Sequence, residues 1–446
     1  MKVPKLVVLA AVTSLMVVGL AGTGAAKGDI DVIAAIEDTS ATGSFDVYHW
    51  WTAGGEKEAI ESALQVFEER YPGLDAVSNA IPGGAGGSMV MKVKVLVITG
   101  NSPETFQAHP GYEVSPYTDS GMLYELDDIW AYDRLEERLL PGLAEFFQVD
   151  GHYYLVPIGI HRSNMIWYNK HLFEEYGIEP PQEPVTWEAF WELCEELKAK
   201  LPEGKYPLDL GDRQGWPATH AFETIMMGTS PQIYEDFING RATEEQVREV
   251  LDRFKKFLSY VAPDHSARLW YEAAGNVYAG NAAMYLMGGW IKAYFKSRGW
   301  EYGEDYGAFA APGTYDKFGL TIDAFVVPKG SSSPENGFRW VHTCSDTALQ
   351  RRFSELKSCI SPYTDTPIDH YDEITLQFRR DLLDPNVMVY PSLTHGIALP
   401  WSVLMDLHSR ISDFATSSNP DTARYARLIV QALREADIEA RWNLGD

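Results

Sequence analysis

Tyr48-His49-Trp50-Trp51-Thr52-Ala53-Gly54-Gly55-Glu56 sets two adjacent tryptophans and an acid at the turn between a strand pattern and a helix pattern. Upstream, Phe45, Val47 and His49 alternate with Asp46, Tyr48 and Trp50, the two-residue period of a strand. Downstream, Ile60, Leu64, Phe67 and Tyr71 recur at helical spacing, so the Thr-Ala-Gly-Gly turn joins strand to helix. Ligands of open α/β sheets bind at the carboxyl ends of strands, which makes this turn a candidate site. Indole offers a flat apolar face and a carboxylate offers acceptors, together complementary to a ring with C–H faces and a rim of hydroxyls. Adjacent aromatics at a strand end are more often packing than binding, and the stretch alone leaves both readings open.

Outward from this turn the alternation continues to about residue 154. Strand patterns fall at 74–81 and 105–109, with a helix predicted at 88–100. Residues 89–98 are rich in β-branched side chains, yet Met91, Val95 and Ile98 share a helical face, and helix is the reading taken. This rhythm is that of a parallel sheet wrapped by helices. A helix is predicted at 186–200, capped by Thr186, with Glu188 at its positive end and Lys198 and Lys200 at its tail. Further helices are predicted at 232–239, 243–261, 271–280, 334–357 and 422–442. Residues 307–312 and 319–328 read as short strands, so late in the chain that they return to a sheet begun earlier. No long linker separates two beads, and two lobes joined by several crossings explain that best.

At 446 residues the chain can bury a sizeable core, with a length prior of roughly two to three domains. A formal charge of −26 argues against nucleic acid and anionic membrane as partners. Residues 1–26 read as a signal peptide: Lys2 and Lys5 open it, 6–20 are almost wholly apolar, and Gly24, Ala25 and Ala26 offer cleavage sites. No cysteine lies nearby to carry a lipid, so a free periplasmic protein is expected, with 27–43 as an acidic spacer. Cys194 shares a helical face with Phe190, Leu193 and Leu197 and reads as a buried hydrophobe. A Cys344–Cys359 bridge stays open, since spacing alone does not support it. The glycine run at 83–87 lacks the endings of nucleotide loops. No His or Cys cluster has zinc spacing and no acidic loop the calcium pattern, so neither metal nor cofactor is expected.

Taken in order, Trp50-Trp51 with Glu56, the glycines of 83–87, Thr105-Phe106-Gln107-Ala108-His109, residues 156–164 through Trp167-Tyr168-Asn169, Met287-Gly288-Gly289-Trp290, Asp323-Ala324-Phe325, Lys357 and Thr394-His395-Gly396 resemble one family. It is the glucose-binding type of extracellular solute-binding protein that feeds bacterial ABC sugar importers. The likeness spans nearly all of the chain after the leader. It implies an α/β, two-lobed periplasmic-binding-protein (Venus-flytrap) fold with crossovers near 160–163, 307–312 and 357–362. One lobe would comprise 44–160 with 312–357, the other 164–308 with 360–446. The resemblance assigns Trp50, Trp51, Glu56, Gln107 and His109 to the first wall of a ligand site. It takes Trp270 and Trp290 from the second lobe, and Asp323, Lys357 and His395 from the returning segments. Glu113 is included where the family often has a shorter acid; His161 is left outside, because Gly159 departs from the pattern. The implied ligand is a monosaccharide, glucose or a close hexose. The implied partner is the membrane permease of an ABC importer, and the implied state is a monomer.

The residues themselves support a polar ligand. Asp323 interrupts the apolar run 320–327, which is costly unless a ligand or a base such as Lys357 partners it. A rival reading is a secreted carbohydrate-active enzyme in which two of Glu56, Glu113 and Asp323 act as acid and base, about 5–9.5 Å apart. A second rival keeps the fold and binds an oligosaccharide. Under the receptor reading, Trp51→Ala and Asp323→Ala are expected to abolish binding and spare the stability of the unliganded protein.

Overall fold

The computed structural model describes residues 30–83, 87–436 and 438, so the expected leader and the centre of the glycine run lie outside the described residues. Strand β1 (Gly43–His49) and helix Gly54–Arg70 flank the Trp50-Trp51 turn. Phe45, Val47 and His49 are buried from the strand, and Ile60, Leu64 and Phe67 from the helix, which are the two periods visible in the sequence. β2 (Leu74–Ala80) and β3 (Thr105–Ala108) lie parallel to β1 on either side of it. Gly87–Ile98 is a helix, but the face shared by Met91, Val95 and Ile98 is its exposed one, and Met89, Val90, Val93 and Val97 pack inward.

After a short pair, β4 (Gln148–Val149) and β5 (His152–Tyr153), come β6 (Val156–Arg162), β7 (Met165–Asn169), β8 (Tyr206–Asp209) and β9 (Ala282–Leu286). The last strands are β10 (Tyr306–Ala310), β11 (Lys317–Val326) and β12 (Met388–Pro391). They form two main sheets: a six-stranded one, β12-β11-β3-β1-β2 with β6 also on β11, and a four-stranded one, β10-β7-β9-β8. The chain passes between the sheets at Ser163 and Asn164 and returns between β10 and β11. The two passages are tied together: Ser163 N donates to Gly319 O at 2.8 Å, and Gly319 N to Asn164 Oδ1 at 2.8 Å. Buried Arg162 donates to Lys317 O at 2.7 Å and to Asp381 Oδ2 at 2.5 Å.

Several expectations change. Within the expected spacer, Val32–Glu37 is a helix packed on helix Pro334–Cys344, and Tyr71 Oη donates to Ile36 O at 2.7 Å. The long helix expected at 334–357 is two, Pro334–Cys344 and Thr347–Lys357, because Asp346 caps the second by accepting from Ala348 N and Leu349 N. β12, expected in the second lobe, pairs with Lys317–Leu320 in the six-stranded sheet. Helices Trp216–Thr229, Glu373–Leu383 and Trp401–Thr416 were not predicted. The first is buried on nearly every residue and so shows no amphipathic period. Cys194, Cys344 and Cys359 are all free and buried. Among the described residues no helix is long and apolar enough to cross a membrane.

Candidate binding cleft

β1, β3 and β11 bring their chemistry to one place. The cleft takes Trp50, Glu56 and His109 from the ends of β1 and β3 and the helix after β1, and Asp323 and Thr321 from β11. Trp270 and Trp290 face them from beside the four-stranded sheet, while Lys357, at the end of the helix packed on the one after β1, and His395, in the turn after β12, complete the lining. The cleft holds about 420 Å³ of non-atom space, solvent at its mouth included. Every residue lining it is at most 8% exposed.

Asp323 is the centre. Its strand is buried from end to end, and the register of β11 against β6 shifts between Asp323 and Ala324, a local irregularity of the kind that re-aims a side chain. Gln107 Nε2 donates to Asp323 Oδ1 at 2.8 Å, while Gln107 Oε1 accepts from Trp50 N at 3.2 Å. One amide on β3 thus fixes both the acid and the start of the tryptophan turn. Oδ2 accepts no hydrogen bond from a described residue; His161 Nε2 lies 3.8 Å from it and is itself without a hydrogen-bond partner. Two polar atoms therefore lie side by side, close enough for one hydroxyl beside them to bond both. Burial, with Lys357 and Lys292 nearby, holds the His161 imidazole well below its usual pKa, so the ring is neutral.

Glu56 is held by Lys357, whose Nζ donates to Oε1. The contact depends on Gly55: a Cβ there would lie 2.8 Å from Leu356 O and 2.9 Å from the Ala293 side chain. Only glycine lets the first turn of the helix approach the end of Thr347–Lys357 so closely. Burial outweighs the lysine and raises the Glu56 pKa. On the other flank His109 Nδ1 pairs with Glu113 Oε2 at 2.7 Å, and His109 N donates to Glu113 Oε1 at 3.1 Å. Burial opposes a charged ring, but Glu113 and Asp323 outweigh it, and the His109 pKa is raised.

The opposite wall rests on aromatic contact. The Trp290 ring lies over Gly288, where a Cβ would come within 2.2 Å of it. Its edge contacts run to His161 (centroids 5.7 Å apart) and His395 (5.2 Å), and it meets Trp216 at 6.2 Å. His395 Nδ1 pairs with Ser392 Oγ at 2.8 Å. His220, Glu223 and His395 bring ligating atoms within 4.8 Å of one another, a grouping that sequence spacing hides. Both Glu223 oxygens are already taken, Oε1 by Tyr234 Oη and Leu393 N, Oε2 by Ser392 Oγ and Thr394 N. The group therefore acts as a clasp that holds the turn carrying His395.

Of the expected site residues, Trp50, Trp51, Glu56, His109, Trp270, Trp290, Asp323, Lys357 and His395 border this cleft. Gln107 and Glu113 do not: they stand behind Asp323 and His109, because their side chains are spent on those residues. Trp51 is 0% exposed, wedged against Phe325 and Phe353 with the Lys357 ammonium 5.2 Å from its ring, so it backs the wall and offers no free face. His161, left out on a sequence departure, belongs to the lining, as do Trp216 and Thr321. Alternation along 317–326 placed Thr321 on the same strand face as Asp323, a signal that was available. Trp216 had none, sitting in the helix without amphipathic period.

Residues 50–350 match the bacterial extracellular solute-binding protein family. An uncharacterized ABC transporter extracellular-binding protein of Pyrococcus horikoshii is 37% identical over 424 residues, 94% of each chain. A probable sugar-binding periplasmic protein of Brucella melitensis is 27% identical, over 83% of this chain and 87% of that one. Among solved structures, a chitin oligosaccharide binding protein superposes with a TM-score of 0.76 at 19% identity, covering 89% of this chain and 99% of that one. The bacterial solute receptor AcbH, described as having an exclusive preference for β-D-galactopyranose, gives 0.75 at 17% identity, over 89% and 98%. The chain belongs to the bacterial extracellular solute-binding protein family and has its two-lobed periplasmic-binding fold. It is a binding protein and not an enzyme.

Proposed function

We propose that the protein is a sugar receptor for an ABC importer and that its ligand is a single monosaccharide ring, glucose or a close hexose. The observation that carries this reading is the pair of unfilled polar atoms, Asp323 Oδ2 and His161 Nε2, in a cleft walled by Trp50, Trp270 and Trp290. A sugar hydroxyl bridging them from the side donates to the carboxylate and accepts from the ring in its Nε2–H tautomer. Glu56 and Lys357, His109 and His395 supply further acceptors and donors around the rim, and indole faces take the C–H faces of the ring. Hydrogen bonds to charged groups contribute roughly 1.5–3 kcal/mol each, so loss or inversion of one matched hydroxyl is strongly rejected.

The low exposure of every lining residue is why we favour one ring over a chain of rings. Relatives described as sugar-binding support the ligand class, and the family supports delivery to a membrane permease from outside the cytoplasm. We place residues 44–160 with 312–357 in one lobe and most of the remainder in the other, and take the monomer as the working unit. Tryptophan fluorescence tests the reading: a hexose should change emission with a one-site isotherm in the native protein, and Asp323→Asn should abolish or strongly weaken it. An unchanged isotherm in the variant contradicts it.

A further inference from the structure

A second crevice, sharing no residue with the cleft above, opens between residues 296–306 and residues 354–375. It holds about 650 Å³ of non-atom space, solvent at its mouth included. Trp300, Tyr302 and Tyr306 form an aromatic wall, with Trp300 and Tyr306 near parallel (14°) and Tyr302 edge-on to Tyr306. Neither the Tyr302 nor the Tyr306 hydroxyl makes a hydrogen bond to a described residue, so both are available to an occupant. His370 also lines the crevice, its side chain 3% exposed. His370 Nε2 pairs with Ser354 Oγ at 2.8 Å, but Nδ1 has no hydrogen-bond partner, Asp369 Oδ1 lying 3.9 Å away. The walls are held in place: Lys296 Nζ donates to Glu355 O at 3.0 Å, from one wall to the other.

We infer that this crevice is a second small-molecule site, built to take one hydroxyl-bearing ring. The aromatic wall suits C–H faces, and the two free phenols suit hydroxyls, which both donate and accept. A purely apolar occupant would leave those groups dry and unsatisfied. An anion meets Glu301 and Glu355, with a single lysine already engaged. A cation finds less charge than the acids suggest, because Asp372 is taken by Lys292 at 3.0 Å and by Thr375.

The test uses the full chain with ¹⁵N-labelled indoles, the Trp300 signal being assigned by its absence in Trp300→Phe. Native and Asp323→Asn proteins are titrated with myo-inositol and glucose, and separately with tetramethylammonium and inorganic phosphate. The inference predicts a saturable displacement of the Trp300 signal by myo-inositol or glucose at millimolar concentration, retained in Asp323→Asn. Tyr302→Phe/Tyr306→Phe, which removes only two unpartnered hydroxyls, should weaken that response by about 5-fold or more, the equivalent of one neutral hydrogen bond. Four results overturn it: no saturable displacement by either probe, displacement only by tetramethylammonium or phosphate, an unchanged response in the double variant, or a response that vanishes in Asp323→Asn. The last would show that Trp300 reports the main cleft, and leaves that site's own test untouched.

Discussion

Gln107 Nε2 donates to Asp323 Oδ1 at 2.8 Å, joining β3 to β11 inside the six-stranded sheet, and this bond orients the carboxylate at the centre of the cleft. Gln107 touches no solvent and does not line the cleft, yet its amide also accepts from Trp50 N. Gln107→Ala should therefore weaken sugar binding about 10-fold, with unliganded stability falling by roughly 1–3 kcal/mol from the lost bonds and the buried groups left behind. Calorimetric titration and urea unfolding read the two effects separately.

Asp323→Asn should behave differently. It keeps shape and the bond from Gln107 possible through its carbonyl, but removes the charge-assisted acceptor, so affinity should fall by on the order of 10- to 100-fold. Stability should change little. A binding loss matched by an equal stability loss would make the residue structural.

Trp51→Ala tests what the second tryptophan contributes to packing. A fully buried indole between Phe325 and Phe353 should cost about 3–5 kcal/mol of stability on truncation, contrary to the expectation from sequence that stability would be spared. Trp51→Phe, which fills most of the space, should recover much of the stability.

The parts of this molecule legible in the sequence were those whose pattern is one-sided. β1 and helix Gly54–Arg70 bury one face each, so their periods showed, and Thr186 caps its helix as turn chemistry requires. Helix Trp216–Thr229 is buried all round, which erased its period and hid Trp216 and His220 with it. Met91, Val95 and Ile98 show the converse error: a shared apolar face was visible, but not that it would face outward. In the site, residue types pointed to the right neighbourhood, whereas depth did not follow from them. Whether Gln107 or His161 stands in front is decided by the register of β3 and β6 against β11, a long-range pairing that local spacing does not encode.

Glu113→Gln isolates the support behind His109. Glu113 and Asp323 together raise the imidazole pKa against the opposing effect of burial. Removing the Glu113 charge should make His109 titrate at lower pH than in the native protein, read from its ring resonances by NMR. An unchanged titration would place His109 outside the influence of Glu113.

Buried neutral histidines make unliganded stability fall toward acid. Burial pushes His220 down to about 4 from 6.5. Between those values the unfolded chain binds more protons than the folded one, so the His220 contribution is full above about 6.5 and is lost as pH falls toward about 4. Asp212, pushed up by burial to about 6, works in the opposite direction between 3.8 and about 6, so a variant is needed to isolate one group. Relative to His220→Gln, the native protein should lose about 2 kcal/mol more stability between pH 7 and pH 5. Urea unfolding at the two pH values measures it.

The most direct test of the central claim is isothermal titration of the purified mature protein with glucose and other hexoses beside the corresponding disaccharides and trisaccharides. A single-ring receptor predicts saturable one-to-one heat with at least one hexose and weaker or no heat with the longer sugars. Heat from the oligosaccharides alone, with no response to any monosaccharide, would contradict it.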